Sequence, residues 1–266
     1  MSITKRIDEA RKAFEKRDLA ASEAAHTPQA IAQASEEHGG ASHQYIGDMV
    51  YGGLDGIVTT FAVVSGVAGA SLGASIILIL GLANLLADGL SMAAGAYLSL
   101  KSEREYYDKE REREAWEVAS YPEGERAEML ALYRAQGYSE DDASTLVEIK
   151  SKNREGWLDE MMVHELGLLP DDRQPILSAV ATFGAFLVAG SVPLLAYLLG
   201  LFVPIAPDAA FAASVVLSGV ALFALGAAKV LITERNWFRS GLEMLIVGGI
   251  AAGVAYLVGY LLAGLA

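Results

Sequence analysis

The chain has 266 residues, 53% of them apolar, with a mean hydropathy of +0.34 and a formal net charge of −13. Acids outnumber bases 33 to 20, which excludes nucleic acid as a partner, because phosphate binding gathers Lys and Arg on one face. There is no cysteine, so disulfides, thiolate metal sites and cysteine nucleophiles are excluded, and a metal would have to be held by oxygen, imidazole or thioether.

The charges are segregated along the chain. Residues 1–48 and 101–173 hold most of them, whereas 51–100 and 176–266 are almost free of charge, a division that a bilayer demands and a soluble core does not. The pattern predicts an all-α membrane protein with four segments: a polar, partly helical stretch (1–48), two transmembrane spans (49–100), a charged helical insert (101–173) and three further spans (174–266). The N-terminal stretch lacks the apolar core of a secretory signal, so the first span would direct insertion. One amphipathic helix lying on the insert or the membrane surface is expected within it.

A hydrocarbon core of about 30 Å needs roughly 20 apolar residues, which places the spans at 51–72, 75–99, 176–201, 209–232 and 241–264. A tight turn at 70–75 joins the first two, and 202–208, with Pro204 and Pro207, joins the third and fourth. Six Lys and Arg lie before the first span, eleven between the second and third, and three (Lys229, Arg235, Arg239) around the last turn. Five spans put all of these on one side, so the N-terminus and insert are expected in the cytosol.

The insert reads as three helices. The first continues span 2, with no proline from Ile76 to about Val118. Tyr121-Pro122-Glu123-Gly124 turns the chain, a second helix covers 125–136 and stops at Gly137, and a third runs from behind Ser139 to about Leu166. Three pairs of candidate ligands fall at helical spacing: Glu114 with Glu117, Glu125 with Glu128, and Met161 with Glu165. Facing inward, they would hold divalent cations through carboxylates, with a thioether that suits softer transition metals. Glutamates at this spacing are equally ordinary on solvated helix faces.

Within the spans the polar exceptions are Asp55, about one turn into the first, and Asp88 in the second, with Asn84 and Met92 one turn to either side. An ionisable group at such depth costs about 2–3 kcal/mol on insertion scales, so it lines a pathway or makes a polar contact. Lys229 and Glu243 are expected as counter-charges across the last turn. Small-residue pairs Gly69/Gly73 and Gly249/Gly253 would permit close helix approach, within the chain or to a second copy.

The segments VYGGLDGIVTTFAVVSGVAGA (50–70) and ADGLSMAAGAYLS (87–99) resemble the vacuolar iron transporter family, and the order of two spans, charged insert and three spans agrees over about 45–264. The resemblance implies a homodimeric secondary transporter that moves cytosolic Fe²⁺ in exchange for protons, with Mn²⁺ as a further candidate substrate. It implies no prosthetic group and no enzyme activity. On the family pattern Asp55 and Met92 line the path and Glu114, Glu117, Glu125, Glu128, Met161 and Glu165 bind metal. The plant members carry a glutamate where Asn84 stands, so either Asp88 substitutes for it or proton coupling differs. A membrane-anchored ferroxidase or iron store is the alternative of another class, since glutamate pairs on facing helices also build di-iron sites. The lipid bilayer is a partner in every reading; the cell membrane is the expected location, with a vacuolar membrane as the alternative.

Overall fold

The structure, a computed structural model, describes residues 3–32, 45–229 and 236–265. Every regular element among the described residues is helical. Five helices are long and apolar enough to cross a membrane: Ile46–Gly69, Ala74–Ser120, Pro175–Leu199, Pro207–Ala228 and Trp237–Leu265. The chain divides into two compact units, Met1–Ala93 with Val180–Ala266, and Ala94–Ala179.

In the first unit, α1 (Ile3–Lys16) and α2 (Leu19–Ala25) pack together, burying Ala13 and Ala25, and α3 (Pro28–Ala32) follows. The single amphipathic helix expected here is thus several short ones, and Asp18 caps α2 by accepting from the Ala21 amide at 3.0 Å. The first span, α4 (Ile46–Gly69), begins five residues earlier than its apolar run, because the stretch from Ile46 to Val50 contains no proline and Asp48 suits a first helical turn.

Helix α4 is the packing hub of the spans. A Cβ on Gly52 or Gly56 would lie 2.5 Å and 2.4 Å from the carbonyl oxygens of Thr182 and Phe186 on α9 (Pro175–Gly190). Near its other end, one on Gly69 would lie 2.3 Å from Tyr256 O, and one on Gly259 only 1.9 Å from Gly66 O. Backbone meets backbone at these points, so only glycine fits. The expected small-residue pairs are only partly used: nothing lies within 4 Å of a Cβ on Gly249 or Gly253, and Gly73 meets only Ser75 of its own turn. Spacing identifies a smooth face, not the presence of a neighbour on it.

The third span is broken near its end. After α9 the chain passes through a 3₁₀ turn, Val192–Leu194, into α10 (Leu195–Leu199). Pro193 lacks the amide an α-helix needs there, and its own carbonyl accepts from the buried Ser214 hydroxyl at 2.7 Å. Ser214 belongs to α11 (Pro207–Ala228), where Pro207 occupies the first turn and starts the helix. The last span is α12 (Trp237–Leu262), capped by Asn236, which accepts from the amides of Phe238 and Arg239. Residues 230–235 of the last turn lie outside the described residues; of the two expected counter-charges, Lys229 caps the end of α11 and Glu243 stands in the second turn of α12.

Helix α5 (Ala74–Ser120) has 47 residues and contributes to both units. Its apolar half buries Ile77, Leu78 and Leu85 with Phe186 and Leu194, while Ile79, Leu82, Leu86 and Leu90 form an exposed apolar face.

In the second unit the end of α5 is followed by α6 (Pro122–Ala135), α7 (Glu140–Lys150) and α8 (Arg154–Glu160). Pro122 begins α6 because a proline at the first helical position needs no amide. Gly137 ends the connection at φ +98°, which favours glycine. Ser139 caps α7 by accepting from the Asp142 amide at 3.2 Å, and its hydroxyl donates to the Asp142 carboxylate at 2.6 Å. The third helix expected to run unbroken to Leu166 is interrupted at 151–153, where Asn153 caps a new helix by accepting from the Gly156 amide at 3.3 Å. It then widens into a π-turn, Met161–Glu165, in which Leu166 N donates to Met161 O at 3.1 Å. Val118, Met129, Tyr133, Ala143, Val147, Trp157 and Met161 form the core.

Candidate metal centre and membrane path

Two adjacent turns of α5 present Glu114 and Glu117, and the first turns of α6 present Glu125. One carboxylate oxygen from each of these three lies within 4.8 Å of the others. The reversal at Tyr121 and Pro122 achieves this, since it folds α6 back along α5. Glu114 is 1% and Glu125 4% exposed, and Glu117 is partly buried. Glu114 Oε1 meets the Arg113 guanidinium at 2.5 Å, whereas Glu114 Oε2 and Glu125 Oε2 have no hydrogen-bond donor. One arginine offsets only part of the charge of three converging carboxylates, and buried carboxylate charge is costly, so the arrangement favours a further cation or a proton.

The electrostatics follow from this crowding. Burial, then the charges of Glu114, Glu128, Glu117 and Glu165, push the Glu125 carboxyl up to about 7. Glu114 is also raised, first by burial, with Glu117 and Glu128 adding to the effect and Arg113 opposing it. Glu165 is raised by partial burial of its carboxyl group and then by Glu114 and Glu128, although the residue as a whole is exposed. Five of the six expected ligands thus share one electrostatic neighbourhood. The sixth, Met161, is fully buried in the unit's core together with Met129 and Val118, the neighbours in sequence of Glu128 and Glu117. Met161 and Glu165 span the π-turn, one buried and one exposed, so the helical spacing that paired them does not hold as α geometry.

Sequence spacing missed Arg113. Its guanidinium pairs with Glu114 at 2.5 Å, with Glu110 at 3.0 Å, and with Glu117. Glu110 and Glu117 stand three residues before and four after it, so the ordinary helical pairing rule was the available signal. His164 lies 3.8 Å from Glu160, which Lys150 holds at 2.6 Å.

The path residues belong to the spans. Asp55, on the glycine-rich face of α4, is half-buried, and Thr59 donates to its main-chain carbonyl at 2.8 Å. Asp88, Asn84 and Met92 follow one another at four-residue intervals on α5, each partly buried. Asp55 and Asp88 are close enough for their charges to act on each other. The Asn84 amide nitrogen is buried without a hydrogen-bond partner. Met92 packs against the cluster containing Phe186 and Leu85.

A five-span helical chain with a carboxylate-rich helical insert defines a class of membrane protein, and comparison with known proteins identifies which. A family model described as the VIT family matches residues 46–260. "Vacuolar iron transporter" of Toxoplasma gondii is 38% identical over 266 aligned residues, 96% of this chain and 88% of the relative. "Vacuolar iron transporter 1" of Arabidopsis thaliana is 37% identical over 214 residues, 80% of this chain and 84% of the relative. "Vacuolar iron transporter" of Plasmodium berghei is 32% identical over 263 residues, 97% and 96% of the two chains. The chain belongs to the VIT family, as an integral membrane protein of helical type. The Toxoplasma and Plasmodium matches extend into the N-terminal segment, since such coverage is impossible without it.

Proposed function

We propose that the protein is a secondary transporter that removes Fe²⁺ from the cytosol in exchange for protons, with the insert as the capture site. The observation that carries this reading is the group formed by Glu114, Glu117 and Glu125: three converging carboxylates, two of them almost wholly buried, each of those two with one oxygen, Oε2, that has no donor. Glu128 and Glu165 add charge at the rim, and Met161 is the thioether of the proposed set. Family membership supplies the transport half, because the relatives are named as iron transporters.

In this reading the insert faces the cytosol, concentrates the ion, and passes it to a path lined by Asp55 and Met92, with Asp88 and Asn84 one to two turns along α5. Asp88 stands in for the glutamate that the plant pattern carries at Asn84. Protons compete with metal for the same carboxylates, which links release to pH. The exposed apolar face of α5, with Ile79, Leu82, Leu86 and Leu90, supports a homodimer built along this helix. Manganese shares the oxygen preference of ferrous iron and is a second substrate. No prosthetic group is invoked. The cell membrane expected from composition has no support among the relatives, whose names are vacuolar, so an internal, vacuole-type membrane is the location adopted.

The test is metal flux into proteoliposomes under an imposed pH gradient, comparing Fe²⁺, Mn²⁺ and Mg²⁺ while internal pH is recorded. Iron entry with matching proton exit is the expected result. Binding of Fe²⁺ without flux of any metal, accompanied by oxygen consumption, would replace the transporter with the ferroxidase or store.

A further inference from the structure

The Arg113 guanidinium lies against the capture site. Its Nη2 is 2.5 Å from Glu114 Oε1, its Nη1 pairs with Glu117 Oε2, and its Nε is 3.0 Å from Glu110 Oε2. Two of these three carboxylates belong to the converging triad and one does not. An arginine stays charged at any physiological pH, so a metal ion approaching Glu114 and Glu117 meets a unit positive charge already bonded to them. The partners also differ in freedom: Glu114 is 1% exposed, whereas the Arg113 side chain is 43% exposed.

We propose that Arg113 is the resident cation of the capture site, which an incoming divalent ion must displace from Glu114 and Glu117, so that this one side chain sets the free-metal level at which capture begins. The inference rests on the capture reading above. Displacement is a swing and not an expulsion, because Glu110, one turn back on α5, retains the guanidinium outside the triad. The exchange favours divalent over monovalent ions. A doubly charged ion draws twice the Coulomb energy from the same oxygens, while a monovalent ion offers no more charge than the arginine and lacks its fork of fixed donors.

Binding of Co²⁺, as an air-stable probe, to the detergent-purified full chain at neutral pH and low salt tests this by equilibrium dialysis. Arg113→Gln should bind roughly tenfold tighter or more, because a unit charge beside the site is removed, and added salt should narrow the difference. Arg113→Lys should fall back toward the native affinity, since the charge returns. A merely structural arginine would give the opposite sign, with Arg113→Gln weakening binding as the carboxylates splay, and that result, or unchanged affinity, overturns the proposal. Glu114→Gln separates the two levels. If it weakens binding while Arg113→Gln does not tighten it, the resident-cation inference fails alone; if it leaves binding intact, the capture reading falls and takes this inference with it.

Discussion

Tyr133 donates its phenolic hydrogen to Glu160 at 3.0 Å, joining α6 to α8 across the insert. Lys150 on α7 pairs with the other oxygen at 2.6 Å, so one half-buried carboxylate ties three helices together. Burial acts to raise this carboxyl, but the hydrogen bonds from Lys150 and Tyr133 outweigh it and hold Glu160 below the ordinary value. A depressed carboxylate stabilises the fold above its unfolded pKa, and that contribution is lost as pH falls through the folded one. Tyr133→Phe should cost roughly 1–2 kcal/mol, read as faster amide exchange in α6 and α8, and Glu160→Gln should flatten the acid limb of the melting curve.

Glu125 has the opposite sign. Its carboxyl is pushed up to about 7, by burial first and then by Glu114 and the other glutamates. The folded protein therefore holds a proton that the unfolded chain has already released, and stability falls as pH rises from about 4.5 through 7. Without metal, the insert should be less stable at pH 7.5 than at 5.5 by an amount on the order of 1–3 kcal/mol. Glu125→Gln should remove most of that slope in thermal melts of the second unit's amides. Metal binding should weaken as pH drops below 7, with the step moved or lost in the same variant; a titration with no inflection near 7 would show that Glu125 stays out of the ligand set.

The membrane half of the fold was legible in the sequence because bilayer insertion imposes long apolar runs that no other environment requires, and prolines at 204 and 207 punctuate them; the break at Pro193 inside the third span was not read. The helical glutamate pairs were legible too, since Glu114 and Glu117 share a face by spacing alone. The meeting of Glu125 with that pair was expected from the turn at Tyr121–Gly124 and from the family pattern, but not from spacing, which does not say how far a turn folds one helix back on another. The break at 151–153 escaped detection because Ser, Lys and Asn are not strong breakers; only Asn153 as a cap explains it. The glycine contacts were half legible: Gly69 is used and Gly253 is not, and sequence has no way to report which faces meet.

That difference is directly testable. A Cβ at Gly259 would lie 1.9 Å from the Gly66 carbonyl oxygen, with backbone atoms on both sides of the contact, whereas at Gly253 it would meet nothing within 4 Å. Gly259→Ala forces α4 and α12 apart and should cost at least about 3 kcal/mol. Gly253→Ala should lie within roughly 0.5 kcal/mol of the native protein. Melting temperature and monodispersity in detergent report both; equal behaviour of the two variants would remove α4 and α12 from backbone contact.

Asp55 offers the sharpest separation between capture and passage. It belongs to α4 within the first compact unit, whereas Glu114, Glu117 and Glu125 belong to the second, so a change at one should leave the local chemistry of the other intact. Asp55→Ala should abolish metal entry into proteoliposomes while Fe²⁺ binding to the full chain keeps its native affinity and stoichiometry. Asp55→Asn, which preserves volume and removes only the charge, should do the same, because passage needs an ionised acceptor to replace the water lost from the ion. Met92→Leu keeps the packing against Phe186 and Leu85 while deleting the thioether. If Met92 touches the ion, this variant should slow Fe²⁺ and Mn²⁺ entry without altering thermal stability. Flux retained in Asp55→Asn would mean that Asp88 alone supplies the intramembrane charge, and the path would then follow α5.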